Sequence, residues 1–307
     1  MKILVIFTGG TIGSAVSDGW ISPSEDMKYL LLERYAEKTG DKSEFDTMTP
    51  YTVLSENLCA ENINKLSAAV TDNIDAYDGI IVTHGTDTLQ YSAAALAYSL
   101  GSSCKPVVLV SSNYPLGDSR ANGLDNFIAA VEFIKSESGR GVFVSYRNSG
   151  ESTCIHLATR LALHTECFDE VYSIDKQPYA VYDGEIRLNA ECTGEEITPC
   201  GSLKLCESPM VLSVQAMPGD NFCYDISKYK AVIFRPYHSG TLNTSCEKFR
   251  EFCLRLKESN IRAFVTDMHG GITYESVSEY ENLGLTVLPM CSFVSFYMKL
   301  WIDISES

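Results

Sequence analysis

Basic charge is scarce in this chain: 24 lysines and arginines stand against 40 aspartates and glutamates over 307 residues, a formal charge of −16. That balance excludes nucleic acid and anionic membrane as expected partners, since either needs a basic face. It does not exclude a small acidic or amide ligand, because a site's local field can oppose the net charge. Long hydrophobic runs are also missing. The apolar stretch after Lys2 has only five residues, too short for the core of a secretory leader. No run approaches the length of a membrane span. The eleven cysteines include no C-x-x-C pair, and Cys200 and Cys206 are the closest two. That spacing argues against a zinc knuckle and for reduced, mostly buried thiols in a cytoplasmic protein. Neither a metal nor an organic cofactor is expected.

What is present is ordinary globular composition, with 45% hydrophobic and 21% charged residues, in a chain long enough for two cores. Apolar runs alternate with amphipathic stretches, the pattern of a mainly parallel sheet flanked by helices. Strands are expected at 2–7, 79–83, 106–111 and 141–146, with helices at 26–38, 57–70, 88–100 and 122–136. The stretch 14–51 is the least regular of this half, with Trp20 to Ser24 turn-like, and reads either as a lid or as an ordinary surface loop. After Tyr172 short alternating segments and glycines suggest a hairpin followed by a linker. A second α/β pattern follows, with strands near 211–214, 231–234 and 263–266 and helices at 245–258, 275–283 and 291–303. The division is therefore a larger N-terminal α/β domain over 1–190, a linker over 191–208 and a smaller C-terminal α/β domain over 209–307.

Chemistry concentrates at two strand ends. Thr8-Gly9-Gly10-Thr11-Ile12-Gly13 follows the first strand directly, and Thr83-His84-Gly85-Thr86-Asp87-Thr88 follows the second. Glycines let backbone amides come close to a ligand, and ligands in open α/β sheets sit beyond the carboxyl ends of strands. A phosphate cradle is one reading of the first loop, but it has neither the Gly-Lys-Ser/Thr ending of a P-loop nor G-x-G-x-x-G. A nucleophilic or substrate-orienting hydroxyl on Thr11 fits better. Thr86 and Asp87 read either as a helix cap or as an anion-facing pair, and the two roles are compatible. His84 reads as a packed strand-end histidine. Ser55-Glu56-Asn57 opens a helix and supplies a third polar strand end, while Asp118 and Arg120 read as a structural ion pair.

Together the two threonine segments resemble the signature segments of the bacterial-type L-asparaginase family, in that family's order and spacing, closest to its cytoplasmic type I branch. Further similarity runs through Asp78-Gly79, Lys105-Pro106-Val107, Pro115-Leu116, Arg120 to Gly123 and Phe168-Asp169. The resemblance covers the N-terminal domain well and the C-terminal domain loosely. It implies a two-domain α/β fold and hydrolysis of asparagine, and often glutamine, to the acid and ammonia through a threonine acyl-enzyme. On this resemblance Thr11 is the nucleophile and Thr86 with Asp87 the second catalytic pair. Gly10, Ser55, Glu56, Gly85 and Ser112 would contact substrate. It further implies a homodimer or homotetramer, with the site completed by C-terminal residues of a second copy. His238 to Thr241 and Asp267 to Gly271 are polar strand ends that could face such a site or an effector.

Two positions depart from the family pattern. A lysine is expected after the 141–146 strand, yet none stands between Lys135 and Lys176. Depending on where a gap is placed, the nearest basic candidates are His156, which could accept a proton, and Arg160, which could only supply charge. A tyrosine is expected in the loop after the first motif, where Trp20 stands, with Tyr29 and Tyr35 as substitutes. The stretch Thr153 to Thr165 reads as more helical than the family's loop. These departures motivate a competing reading, a non-catalytic amino-acid-binding protein on the same scaffold. A third reading, a component of a tRNA-dependent amidotransferase, is weighed down by the acidic charge and the lack of an added domain before Met1.

Overall fold

The computed structural model describes the chain except residues 18–19, 24–25, 165–167, 193, 267 and 269–273, with the backbone alone described between 15 and 28. It divides into two compact units, Met1–Glu207 and Ser208–Ser307.

The first unit contains β1 (Lys2–Phe7), β2 (Ser14–Ser17), β3 (Trp20–Pro23), α1 (Asp26–Thr39), β4 (Glu44–Met48), α2 (Ala60–Thr71), β5 (Gly79–Thr83) and α3 (Leu89–Leu100). It continues with β6 (Val107–Val110), α4 (Gly123–Lys135), β7 (Val142–Tyr146), β8 (Thr153–Leu157), β9 (Ala180–Tyr182) and β10 (Ile186–Leu188). One sheet holds eight of these strands in the order β10-β9-β8-β7-β6-β5-β1-β4. β4, β1, β5, β6 and β7 are parallel neighbours, while β8, β9 and β10 add antiparallel strands at one side. β2 and β3 pair as a separate hairpin.

Period-two alternation splits each central strand between two cores. In β1, Ile3, Val5 and Phe7 join Leu31 and Tyr35 of α1 and Phe127 and Phe133 of α4. Leu4 and Ile6 face the other way, onto Leu66 and Val70 of α2 and Leu89 and Leu96 of α3. Helices on both faces explain why the central strands read as unbroken apolar runs. Each such buried side chain contributes roughly 1.5–3 kcal/mol.

The path of the chain sets the site. From β1 it passes to β4 on one side, then returns across β1 to β5 on the other. The strand order reverses there, so the connections leaving β1 and β5 diverge and open a crevice at their carboxyl ends.

The second unit holds β11 (Val211–Gln215), β12 (Ala231–Arg235), α5 (Glu247–Glu258), β13 (Arg262–Val265), β14 (Leu285–Val287) and α6 (Phe293–Glu306). Its four strands are parallel and follow sequence order. Phe249, Phe252 and Leu256 of α5 cover one face. On α6, Phe293, Leu300 and Trp301 are buried, and Phe296 meets Phe264 of β13 edge-on with ring centroids 4.9 Å apart. Through Phe296 the last helix therefore packs on the sheet of its own unit.

Several local expectations change. Trp20 begins a strand rather than a turn. The stretch after Thr153 is an antiparallel strand, β8, before a single 3-10 turn at Ala158–Arg160: Cys154 to Leu157 pair with β7, and Thr153 and Ile155 are buried. Glu275–Glu279 is only a 3-10 turn where a helix over 275–283 was expected, and β14 follows it as a strand that the sequence reading did not name. Of the described cysteines only Cys192 and Cys253 are buried, whereas Cys59 and Cys223 are exposed, so the expectation of mostly buried thiols does not hold. Among the described residues no helix is long and apolar enough to cross a membrane.

Candidate active site

Three backbone segments meet at the reversal between β1 and β5. The loop after β1 is laced to the segment beyond β4: Gly10 N–H donates to the Val53 carbonyl at 3.2 Å, and Val53 N–H donates to the Thr8 carbonyl at 3.0 Å. It is tied to β5 through Thr8, whose hydroxyl donates to the Thr83 carbonyl at 2.7 Å. Gly10 sits at φ +74°, and a Cβ there would overlap the backbone of Gly85 and come within 2.7 Å of the His84 carbonyl carbon. Only glycine gives both this left-handed turn and this approach. The two motifs thus touch backbone to backbone at Gly10 and Gly85, one residue before Thr11 and Thr86 respectively. Both threonines are half-buried, while Asp87 and Glu56 are exposed.

Ser55 forms the third side. Its side chain lies against Gly85, where a Cβ would be 2.5 Å from the Ser55 hydroxyl oxygen. That hydroxyl donates to an Asp87 carboxylate oxygen at 3.0 Å, and Thr88 Oγ1 donates to the Ser55 carbonyl at 3.0 Å. Thr88 is the N-cap of α3, yet it makes no side-chain bond to its helix. Its hydroxyl is spent on holding the Ser55 turn to the Thr86–Asp87 turn. Ser55–Asn57 itself is a 3-10 turn, with α2 starting later, at Ala60.

His84 is a packing residue, as expected. Its Nδ1 faces the Gly85 carbonyl at 2.8 Å, so that nitrogen carries the hydrogen, and Nε2 accepts from Ser92 Oγ at 2.8 Å. Complete burial lowers its pKa and keeps the ring neutral. The Ser112 hydroxyl is likewise committed to structure, accepting from Gly123 N–H at 3.1 Å and donating to the Tyr114 carbonyl at 2.6 Å. Asp118 and Arg120 form their expected exposed ion pair at 2.7 Å.

The two basic candidates opposite Asp87 are engaged elsewhere. His156 lies on β8, fully buried, with Nδ1 2.9 Å from Ser173 Oγ and its pKa pushed down to about 4 by burial. Arg160 pairs with Asp175 at 3.7 Å. Neither contact reaches Thr86 or Asp87. The residue that does reach the Thr86 turn is one that sequence reasoning passes over: His164 Nε2 lies 3.0 Å from the Thr86 carbonyl oxygen. It stands in irregular chain beyond β8, and no periodicity or motif marks it. The absence of lysine after β7 is the one available signal, and it points to the neighbourhood without naming the residue.

Of the substitutes for a loop tyrosine, Tyr35 is ruled out. It is fully buried, packs against Phe45 and Phe127, and donates to Asp41. Tyr29 is exposed. The Trp20 side chain, Asp267 and His269 to Gly271 lie outside the described residues. Beyond β6 and β7 a pocket of about 320 Å³ opens, lined by Asn113, Arg120, Asn122, Tyr146, Arg147 and Glu170 among others. No cluster of three or more potential metal ligands occurs among the described residues.

Comparison with known proteins identifies the family and the fold. The family model for the N-terminal domain of asparaginase matches residues 2–193, more than half of the chain. A glutamyl-tRNA(Gln) amidotransferase component from Methanosarcina mazei is 28% identical over 277 residues, 86% of this chain and 64% of that protein. L-asparaginase of Thermococcus kodakarensis is 30% identical over 187 residues, 60% of this chain and 55% of that protein. The chain thus spans about half to two thirds of the length of these curated relatives. Among solved structures, the thermostable L-asparaginase from Thermococcus kodakarensis superposes with a TM-score of 0.81 at 23% identity, covering 100% of this chain and 94% of that one. At that identity the superposition speaks for the fold.

Proposed function

This chain belongs to the asparaginase family, and we propose that it hydrolyses L-asparagine, or a related small amide such as L-glutamine, to the acid and ammonia. The observation that carries this reading is the backbone contact of the two threonine turns at Gly10 and Gly85, with Ser55 closing the third side onto Asp87. In this reading the Thr11 hydroxyl oxygen attacks the side-chain amide carbon and gives up its proton. The tetrahedral intermediate collapses with loss of ammonia, which leaves an ester on Thr11 that water then cleaves to regenerate the hydroxyl. A threonine hydroxyl is a weak nucleophile unless a neighbouring group takes its proton and fixed donors receive the oxyanion. Thr86 and Asp87 are assigned to the first task. Asp87, oriented by Ser55, also holds the substrate's α-ammonium group, and Ser55 and Glu56 face its amino-acid end.

The test is ammonia release from asparagine by wild type and by Thr11→Ala at matched melting temperature. The reading expects loss of turnover in the variant with folding intact, and unchanged turnover would remove Thr11 from its role. Stabilisation by aspartate or asparagine without any ammonia would instead support the binding-protein alternative, since a ligand selective for the folded state raises its stability.

The likeness to amidotransferase components favours one second reading, in which the same threonine chemistry releases ammonia for a partner protein. Ammonia release that rises only in the presence of such a partner and a tRNA would support it. The charge of −16 weighs against direct tRNA contact by this chain.

A further inference from the structure

The imidazole of His164 sits between two main-chain carbonyls. Nε2 is 3.0 Å from the Thr86 oxygen and Nδ1 is 3.1 Å from the Glu170 oxygen. Both partners are acceptors only, so each ring nitrogen must carry a hydrogen for both contacts to be hydrogen bonds. The Thr86 oxygen also receives the N–H of Leu89, the first residue of α3, at 3.3 Å. Its two lone pairs are therefore taken, one by the helix start and one by His164. That fixes the plane of the Thr86–Asp87 peptide from both sides. Glu170, the other anchor, lines the pocket beyond β6 and β7. The adjoining Asp169 carbonyl accepts from the Tyr146 hydroxyl at 2.7 Å, which fastens this anchor to the end of β7.

The geometry points to His164 as a positioning residue for Thr86: the ring clamps the Thr86 carbonyl to the 168–171 segment and so sets the direction in which Thr86 and Asp87 present their side chains. This rests on the hydrolase reading above for its kinetic consequence alone. Hydrolases lose rate steeply when a reacting group is displaced by about 1 Å, on the order of 100-fold. A ring that only filled space would be replaceable by any side chain of its shape.

The experiment compares His164→Phe, which keeps a ring and removes both donors, with His164→Gln, which keeps an N–H donor. Melting temperature, kcat and KM for asparagine, and the backbone amide signals of Thr86 and Asp87 are measured on each. The expected result is a fall in kcat of about 10- to 100-fold for the phenylalanine variant with KM changed less than about twofold, and partial recovery in the glutamine variant. The Thr86 and Asp87 signals should move in the first variant and return towards wild type in the second. Wild-type kcat in His164→Phe overturns the proposal, as does an equal loss in both variants that tracks the melting temperature. If the wild type releases no ammonia, the hydrolase reading is what fails. The amide signals then decide alone, and unmoved signals in His164→Phe overturn the clamp. Should His164→Phe not fold, His164→Ala against His164→Gln makes the same comparison.

Discussion

The two units of this protein are both parallel sheets at heart, and they differ in how the chain visits the strands. The second unit lays β11, β12, β13 and β14 down in sequence order. The first reverses, placing β4 on one side of β1 and β5 on the other. A sheet built in one direction sends successive connections the same way, whereas a reversal parts two of them and leaves a crevice at the strand ends. The first unit has therefore brought Gly10, Ser55, Gly85 and Asp87 together, and its strand-end glycines meet backbone. In the second unit the corresponding glycine after β12, Gly240, faces the flexible side chain of Met268.

The largest difference between the two units is expected at the Thr11 hydroxyl. Thr11→Ala should lower asparagine turnover about a thousandfold or more with an unchanged melting curve. Ser239→Ala, at the polar strand end of the second unit, should leave the melting curve equally unchanged, and turnover then shows whether that loop serves the site. Next in size is Gly10→Ala. Left-handed strain and overlap with Gly85 and His84 should cost about 3 kcal/mol or more and remove most activity. Gly240→Ala shares the positive φ, at +76°, but meets only the Met268 side chain, with sulfur 3.2 Å away. It should cost about 1–2 kcal/mol, which chemical denaturation can compare directly.

A pH titration sharpens the contrast further. Burial holds His156 at a pKa of about 4 against 6.5 for an exposed ring. Between those values the unfolded chain binds the extra proton, so stability is fully present above about 6.5 and is lost as pH falls towards 4, by on the order of 3 kcal/mol. Buried His84 acts in the same direction, while His238 in the second unit is exposed. Hydrogen exchange as a function of pH should show the first unit losing protection on acidification before the second, and His156→Gln should flatten that dependence. The smallest effect is expected at Ser55→Ala. Losing one hydrogen bond to exposed Asp87 should cost about 1 kcal/mol or less in stability and raise KM more than it lowers kcat.

Much of this is legible in the residues because both cores are built from strands buried on two faces. β1, β5, β6 and β7 read as unbroken apolar runs, and the helices between them show amphipathic spacing. β4 escapes such a reading because this edge strand, Glu-Phe-Asp-Thr-Met, pairs with β1 alone and has no fully buried residue. β8 misleads because Thr153 to Thr165 reads as helical, whereas antiparallel pairing of Cys154 to Leu157 with β7 leaves only a 3-10 turn at Ala158–Arg160. At the site, the two threonine loops and Ser55 can be named from their glycines, hydroxyls and family likeness. The group facing Thr86 cannot, because His164 reaches it from 78 residues away through a loop with no pattern of its own. Proximity along the chain singles out His156 and Arg160 as the groups opposite Asp87. The strand β8 and the ion pair with Asp175 direct both elsewhere.

Acyl transfer through Thr11, as proposed for the crevice at the β1–β5 reversal, leaves a covalent trace. Rapid acid quench during asparagine turnover, followed by peptide mass spectrometry, addresses it directly. An aspartyl ester is expected on the peptide spanning Thr8 to Gly13, located on Thr11 and missing from Thr11→Ala. An acyl group on any other residue, or turnover that persists in Thr11→Ala, would contradict it.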